Sequence, residues 1–119
     1  MAVKLRREVM AAFQRDQKER FVDLVTAHLR EEFPDAAAIP IKELRSGVAV
    51  QLQKADYYGL ETELEQATYA TSAWLLGEDF DTRFPSAEAV LNSDQLTSEE
   101  KRQWLEEFTQ EIFKRLEEN

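Results

Sequence analysis

The sequence predicts an all-α fold, a single helical domain over residues 1–119 built as a bundle of about four to five helices. Three observations carry that prediction. Only three Gly and three Pro occur in 119 residues, whereas an all-β domain needs a turn signal every eight to twelve residues or so. Apolar residues recur at three- and four-residue intervals through most of the chain, the spacing of one helix face. The composition, 43% hydrophobic and 33% charged, is that of a chain able to fold around its own core.

The first helical pattern covers residues 3–33, as one long helix or two joined near 14–17. Leu5, Val9, Ala12 and Phe13 are spaced for one face, followed by Phe21, Leu24, Val25, Leu29 and Phe33. Pro34 ends it, because the residue before a proline is driven out of the helical region. Residues 35–39 read as a loop, and Pro40 suits the first position of a second helix. That helix carries Leu44, Val48, Leu52 and Ala55, and Gly59 stops it as a left-handed cap.

A third helix is expected over 61–76, with Leu64, Ala67, Thr71, Trp74 and Leu75 as its apolar side and Gly77 closing it as Gly59 does. Residues 78–85 lack a period and read as a loop whose Phe80 and Phe84 rings plug back onto the core. A short helix follows over 86–91. Thr97-Ser98-Glu99-Glu100 is a capping box, in which the Thr97 hydroxyl and the Glu100 carboxylate each accept from the other's backbone N–H. The helix it starts bears Trp104, Leu105, Phe108, Ile112 and Leu116, with Phe113 at the flank.

Composition narrows function by exclusion. With no Cys, disulfides, thiolate metal sites and thiol nucleophiles are ruled out. His28 is the single histidine; it projects between Leu24 and Val25 and reads as a hydrogen-bonded core or edge residue. With Glu32 it makes at most two metal ligands where zinc wants three or four, and no Ser or Thr stands in an elbow-like turn beside it. Asp79-Phe80-Asp81 lacks the Gly and terminal Glu of a calcium loop. No cofactor motif is present, so the expectation is a protein that is not an enzyme.

The formal net charge is −9, unevenly spread: residues 1–30 hold seven Lys/Arg against four Asp/Glu, and residues 77–119 hold five against twelve. Such acidity disfavours nucleic acid and anionic membrane as partners and favours a basic protein surface. No apolar run approaches the length of a spanning helix, and no signal-type segment follows the N-terminal basic cluster, so a cytoplasmic location is expected. Trp74 and Trp104 are expected in the core. Tyr57 and Tyr58 stand about 100° apart on a helix, so at least one of them lies at the surface.

Several strings carry a family resemblance: Phe21 through His28-Leu29-Arg30 to Phe33-Pro34; Ala55-Asp56-Tyr57-Tyr58-Gly59-Leu60; Leu76-Gly77-Glu78-Asp79-Phe80-Asp81; and Phe84-Pro85-Ser86-Ala87 leading to Val90-Leu91-Asn92. Together they resemble a family of small helical bacterial proteins encoded near type VI secretion spike and effector genes. Ser86 departs from the Trp expected there. The resemblance transfers no catalytic residue and implies an accessory protein that accompanies an effector or the spike that loads it, as adaptor, chaperone or immunity protein.

The expected partner is thus another protein, a secretion effector, a spike component or a toxin. Its contact is placed where Tyr57 and Tyr58 meet Asp79, Phe80, Asp81 and Phe84. The alternative is an immunity protein whose Glu106, Glu107 and Glu111 occupy a toxin's basic cleft. A homodimer seam along Trp104–Leu116 is a third option.

Overall fold

The computed structural model describes the backbone of residues 2–118 and the side chains of 9–12 and 14–117. All of its regular structure is helical, with no strand among the described residues. Five elements have seven or more residues: α1 (Ala2–Glu32), α3 (Ile41–Tyr57), α4 (Glu63–Leu76), α6 (Pro85–Leu91) and α7 (Ser98–Glu118). Two single turns, α2 (Pro34–Ala37) and α5 (Phe80–Arg83), bring the total among the described residues to seven, where four to five were expected. The extra turns occupy the two stretches read as loops, 35–39 and 78–85. The chain divides into two compact units, Met1–Ser46 and Gly47–Asn119, with the division inside α3.

In the first unit α1 is one uninterrupted helix. Phe33 takes φ −125° and ψ 112°, the extended backbone that Pro34 imposes on its predecessor. Pro34 then opens α2, where its missing N–H costs no hydrogen bond. Pro40 sits just before α3 and its carbonyl accepts from Glu43 and Leu44. Val25, Thr26, Leu29, Ala36 and Leu44 are buried. An ion pair of 2.6 Å joins Asp23 on α1 to Arg45 on α3.

His28 is exposed, not within the buried face. The packed side of α1 is set by Val25, Thr26 and Leu29, which leaves Leu24 and His28, one turn apart, on the solvent side. Of the face proposed for the first turns, Val9 and Ala12 are exposed; Leu5 and Phe13 lie outside the described side chains.

The second unit is built on α4 and α7, which pack along each other. Its core joins Ala55, Leu60, Tyr69, Ala73, Leu76, Phe80, Ala87, Leu91 and Leu105. Leu44, Val48, Leu52 and Ala55 on α3 are all buried, as their spacing predicts. Gly59 has φ +81°. The Leu60 N–H reaches the Ala55 carbonyl and the Gly59 N–H reaches Asp56, both at 3.0 Å, the paired bonds of a Schellman cap. Leu60 and Ala55 meet in the core across that cap.

The α4 face differs from the one expected. Leu64 is exposed and Ala67, Thr71, Trp74 and Leu75 are half-buried, while Glu65, Tyr69, Ala70, Ser72, Ala73 and Leu76 are buried. A capping box of Thr62 and Glu65 starts the helix and turns Glu65 inward. There its carboxylate accepts from the Glu61 and Thr62 N–H groups and from the Ser98 hydroxyl. Ser72 and Thr109 share a buried 2.7 Å hydrogen bond between α4 and α7.

The capping box at Thr97 and Glu100 forms as its sequence predicts, with both reciprocal bonds present. Trp104, Phe108 and Ile112 pack half-buried against the unit's own core, and Leu105 is fully enclosed. The Trp104–Leu116 stripe is therefore turned largely toward the unit's own core. Only Leu116 remains substantially exposed.

A Cβ added at Gly59 meets no atom within 4 Å, so its only penalty is the left-handed backbone. Gly59→Ala is expected to lower the unfolding free energy by about 1 kcal/mol, read from the urea midpoint at unchanged slope.

Candidate functional site

The C-terminal end of α3 brings together the tyrosines and the 78–85 segment, as the sequence suggested. Tyr57 and Tyr58 part company there. Tyr57 is 79% exposed, whereas Tyr58 turns inward and packs on the core. The rings run in series: Tyr57 meets Tyr58 edge-on at 5.2 Å, Tyr58 meets Tyr69 at 5.9 Å, and Tyr69 meets Phe80 at 5.0 Å. An exposed aromatic ring is thus seated on a buried aromatic stack.

Asp81 anchors this series. It is only 3% exposed, and a buried carboxylate is costly unless paired and hydrogen-bonded. The Lys54 ammonium donates to its Oδ1 at 2.9 Å and the Tyr58 hydroxyl to its Oδ2 at 2.7 Å. Lys54 also donates to the Glu78 carbonyl at 3.0 Å. Burial pushes the Asp81 carboxyl up, but the hydrogen bonds from Tyr58 and Lys54 and the charge of Lys54 outweigh it, leaving it below the usual carboxylate range. Burial, with Asp81 beside it, pushes the Tyr58 phenol well up, so it stays a donor.

Phe80 and Asp81 were expected to touch a partner. Both are buried in the unit's own core, so they support the surface and do not form it. Phe84 is half-buried, with its ring edge-on to Phe108 at 5.4 Å and the Arg83 guanidinium 5.1 Å from its centroid. Asp79 is exposed beside Arg83. Of the α7 acids, Glu106 pairs with Arg102 at 2.8 Å and Glu111 with Arg115 at 2.6 Å, while Glu107 is exposed. The acidic face of α7 is partly compensated within its own helix.

Lys101 was missed in the sequence. It is almost fully buried, and its ammonium donates to the Tyr58 and Leu91 carbonyls, each at 2.9 Å. Those carbonyls end α3 and α6, where helix dipoles leave partial negative charge. An open groove lies over this point, lined by Tyr57, Gly59, Leu91, Asp94, Leu96 and Lys101. The signal was available: Lys101, Leu105 and Thr109 are spaced i, i+4, i+8 on the buried side of α7.

Arg83 does for α4 what Lys101 does for α3 and α6, donating to the Leu76 carbonyl. Gly77, with φ +114° and ψ 149°, turns the chain there but is not the left-handed helical cap expected. A Cβ at Gly77 would lie 3.1 Å from the Arg83 guanidinium.

Among the described residues, no group of three or more His, Cys, Asp or Glu is placed to hold a metal ion. No described helix is long and apolar enough to cross a membrane. The chain matches no protein-family model, no curated protein and no solved structure.

Two outcomes follow from these buried charges. Lys101→Met strands two helix-terminal carbonyls and is expected to cost about 2 kcal/mol, measured by urea denaturation at pH 7. The depressed Asp81 carboxyl adds stability that is present above the unfolded-state value of about 4 and lost as pH falls through the lower folded value. Asp81→Asn should therefore be less stable at pH 7, with a shallower loss below pH 4 in pH-dependent thermal melts.

Proposed function

We propose that this chain is a non-enzymatic protein-binding accessory factor of the cytoplasm, an adaptor or chaperone for a type VI secretion effector or spike protein. The observation that carries the protein-binding reading is Tyr57, a large aromatic 79% exposed to solvent on a base that Tyr58, Asp81 and Lys54 lock in place. Aromatic side chains held rigidly at the surface lose little entropy on binding and concentrate binding energy at interfaces. The groove beside it, with Leu96 and Asp94 on its rim, supplies the mixed apolar and polar surround that such an anchor requires.

The secretion context rests on the family resemblance of the strings around Tyr57, Phe80 and Phe84. The immunity reading draws less support, because Glu106 and Glu111 already have cationic partners on α7. An acidic patch compensated in this way steers a basic partner weakly.

The test is affinity capture of a tagged full-length copy co-expressed with the spike and effector proteins encoded beside it. One of these is expected to co-purify, and Tyr57→Ala is expected to weaken the purified complex at least about tenfold in calorimetry. Recovery of the tagged chain alone sinks the reading. Capture that Tyr57→Ala leaves unchanged removes Tyr57 as its anchor.

A further inference from the structure

The second unit carries the chain's charge imbalance, since residues 47–119 hold six Lys/Arg against sixteen Asp/Glu. Where those cations are spent decides where acid is left over. Lys54 answers Asp81, Arg83 answers Asp79, Arg102 answers Glu99 and Glu106, and Arg115 answers Glu111. Lys114 is exposed near the end of α7. Asp56 and Glu61, which flank the Tyr57–Gly59 turn in sequence, and Asp94 on the groove wall are exposed. Among the described residues none of these three makes an ion pair.

The groove at the ends of α3 and α6 is lined wholly by the second unit, and its free polar groups are acceptors. The Asn92 amide donates to the Glu88 carbonyl at 2.9 Å, which leaves the Asn92 side-chain carbonyl open. Asp94 receives only the Gln95 side-chain amide, on Oδ1 at 3.4 Å. Lys101 on the floor is 8% exposed. The two helix ends that its ammonium caps, each worth roughly half a negative charge, offset its own. Net negative charge and unfilled acceptors thus stand next to an exposed aromatic ring.

We propose, on the protein-binding reading of Tyr57, that this groove takes an arginine side chain of the partner, its guanidinium stacked on the Tyr57 ring and hydrogen-bonded to the Asp94 carboxylate. A ring 79% exposed leaves a face open, and a cation over a tyrosine face is attracted by its quadrupole. Arginine suits this better than lysine, because its planar group stacks on the ring while its forked donors reach a carboxylate. The unit already contains one such contact: the Arg83 guanidinium lies 5.1 Å from the Phe84 centroid while it pairs with Asp79. A groove of about 470 Å³ has room for the long side chain. Charge disfavours the opposite occupant, since a carboxylate or phosphate would meet Asp94 and a lysine already held by two carbonyls.

The probe is the peptide acetyl-Gly-Gly-Arg-Gly-Gly-amide, titrated into the isotope-labelled full-length chain and followed by NMR. Saturating shifts are expected at the Gly59, Asp94 and Leu96 N–H groups, with a dissociation constant on the order of millimolar. The same peptide with citrulline, the neutral isostere of arginine, should not bind, and the lysine version should bind more weakly than arginine. Tyr57→Ala and Asp94→Asn should each weaken the arginine peptide about threefold or more, with far-UV circular dichroism unchanged, whereas Glu107→Gln on α7 should not. No shift at these groups up to about 20 mM peptide, or a citrulline peptide that binds as well as arginine, overturns the proposal. So does a captured spike or effector complex indifferent to Asp94→Asn, a result that leaves the accessory-factor reading standing. Arginine binding that needs Tyr57 and Asp94, in a chain that captures neither protein, upholds the groove and sinks the secretion reading.

Discussion

Lys101 places a full positive charge among the apolar side chains of the second unit, and the ends of three helices answer to it. Its ammonium takes the last carbonyls of α3 and α6 while its backbone opens α7. Helix C-termini carry unsatisfied carbonyls and partial negative charge, so one lysine satisfies two ends that would otherwise need water inside the core. Tyr58 extends the linkage: its carbonyl accepts from Lys101 and its hydroxyl donates to Asp81, which Lys54 neutralises. A buried charge without partners costs several kcal/mol. Removing Lys54 would leave the Asp81 charge buried with only the Tyr58 hydroxyl to answer it, whereas removing Lys101 strands neutral carbonyls.

That constraint determines what reaches the surface. With the Tyr58 carbonyl and hydroxyl both committed inward, the next position back along α3, about 100° around the helix, projects outward, and Tyr57 occupies it. The exposure of Tyr57 follows from polar bonds made by its neighbour. Phe80 and Asp81, which the sequence groups with the tyrosines, belong to the foundation beneath it. The sequence places these residues together correctly and misassigns which of them face solvent, because proximity along helix ends does not reveal burial.

Boundaries were the most legible part of the fold. Pro34, Gly59 and the Thr97–Glu100 box act locally, through a fixed φ, a positive φ and reciprocal hydrogen bonds, and each ended or began a helix where expected. Faces were legible only where apolar residues alone define them, as on α3. On α4 the buried side includes Glu65 and Ser72, whose partners Ser98 and Thr109 lie more than thirty residues away. Periodicity counts such residues as solvent-facing and rotates the predicted stripe toward Leu64. The i, i+4, i+8 spacing with Leu105 and Thr109 marks Lys101 as inward-facing, but the carbonyl partners contributed by Tyr58 and Leu91 have no signature in sequence.

His28 and Leu24 carry the same lesson to α1, with a different consequence. Apolar residues on this helix do not form one stripe. Val25 and Leu29 fix the packed side, and Val9 with Leu24 belongs to the other. Averaged over the whole helix, two opposed apolar faces cancel, so the helix reads as weakly amphipathic although each half is patterned.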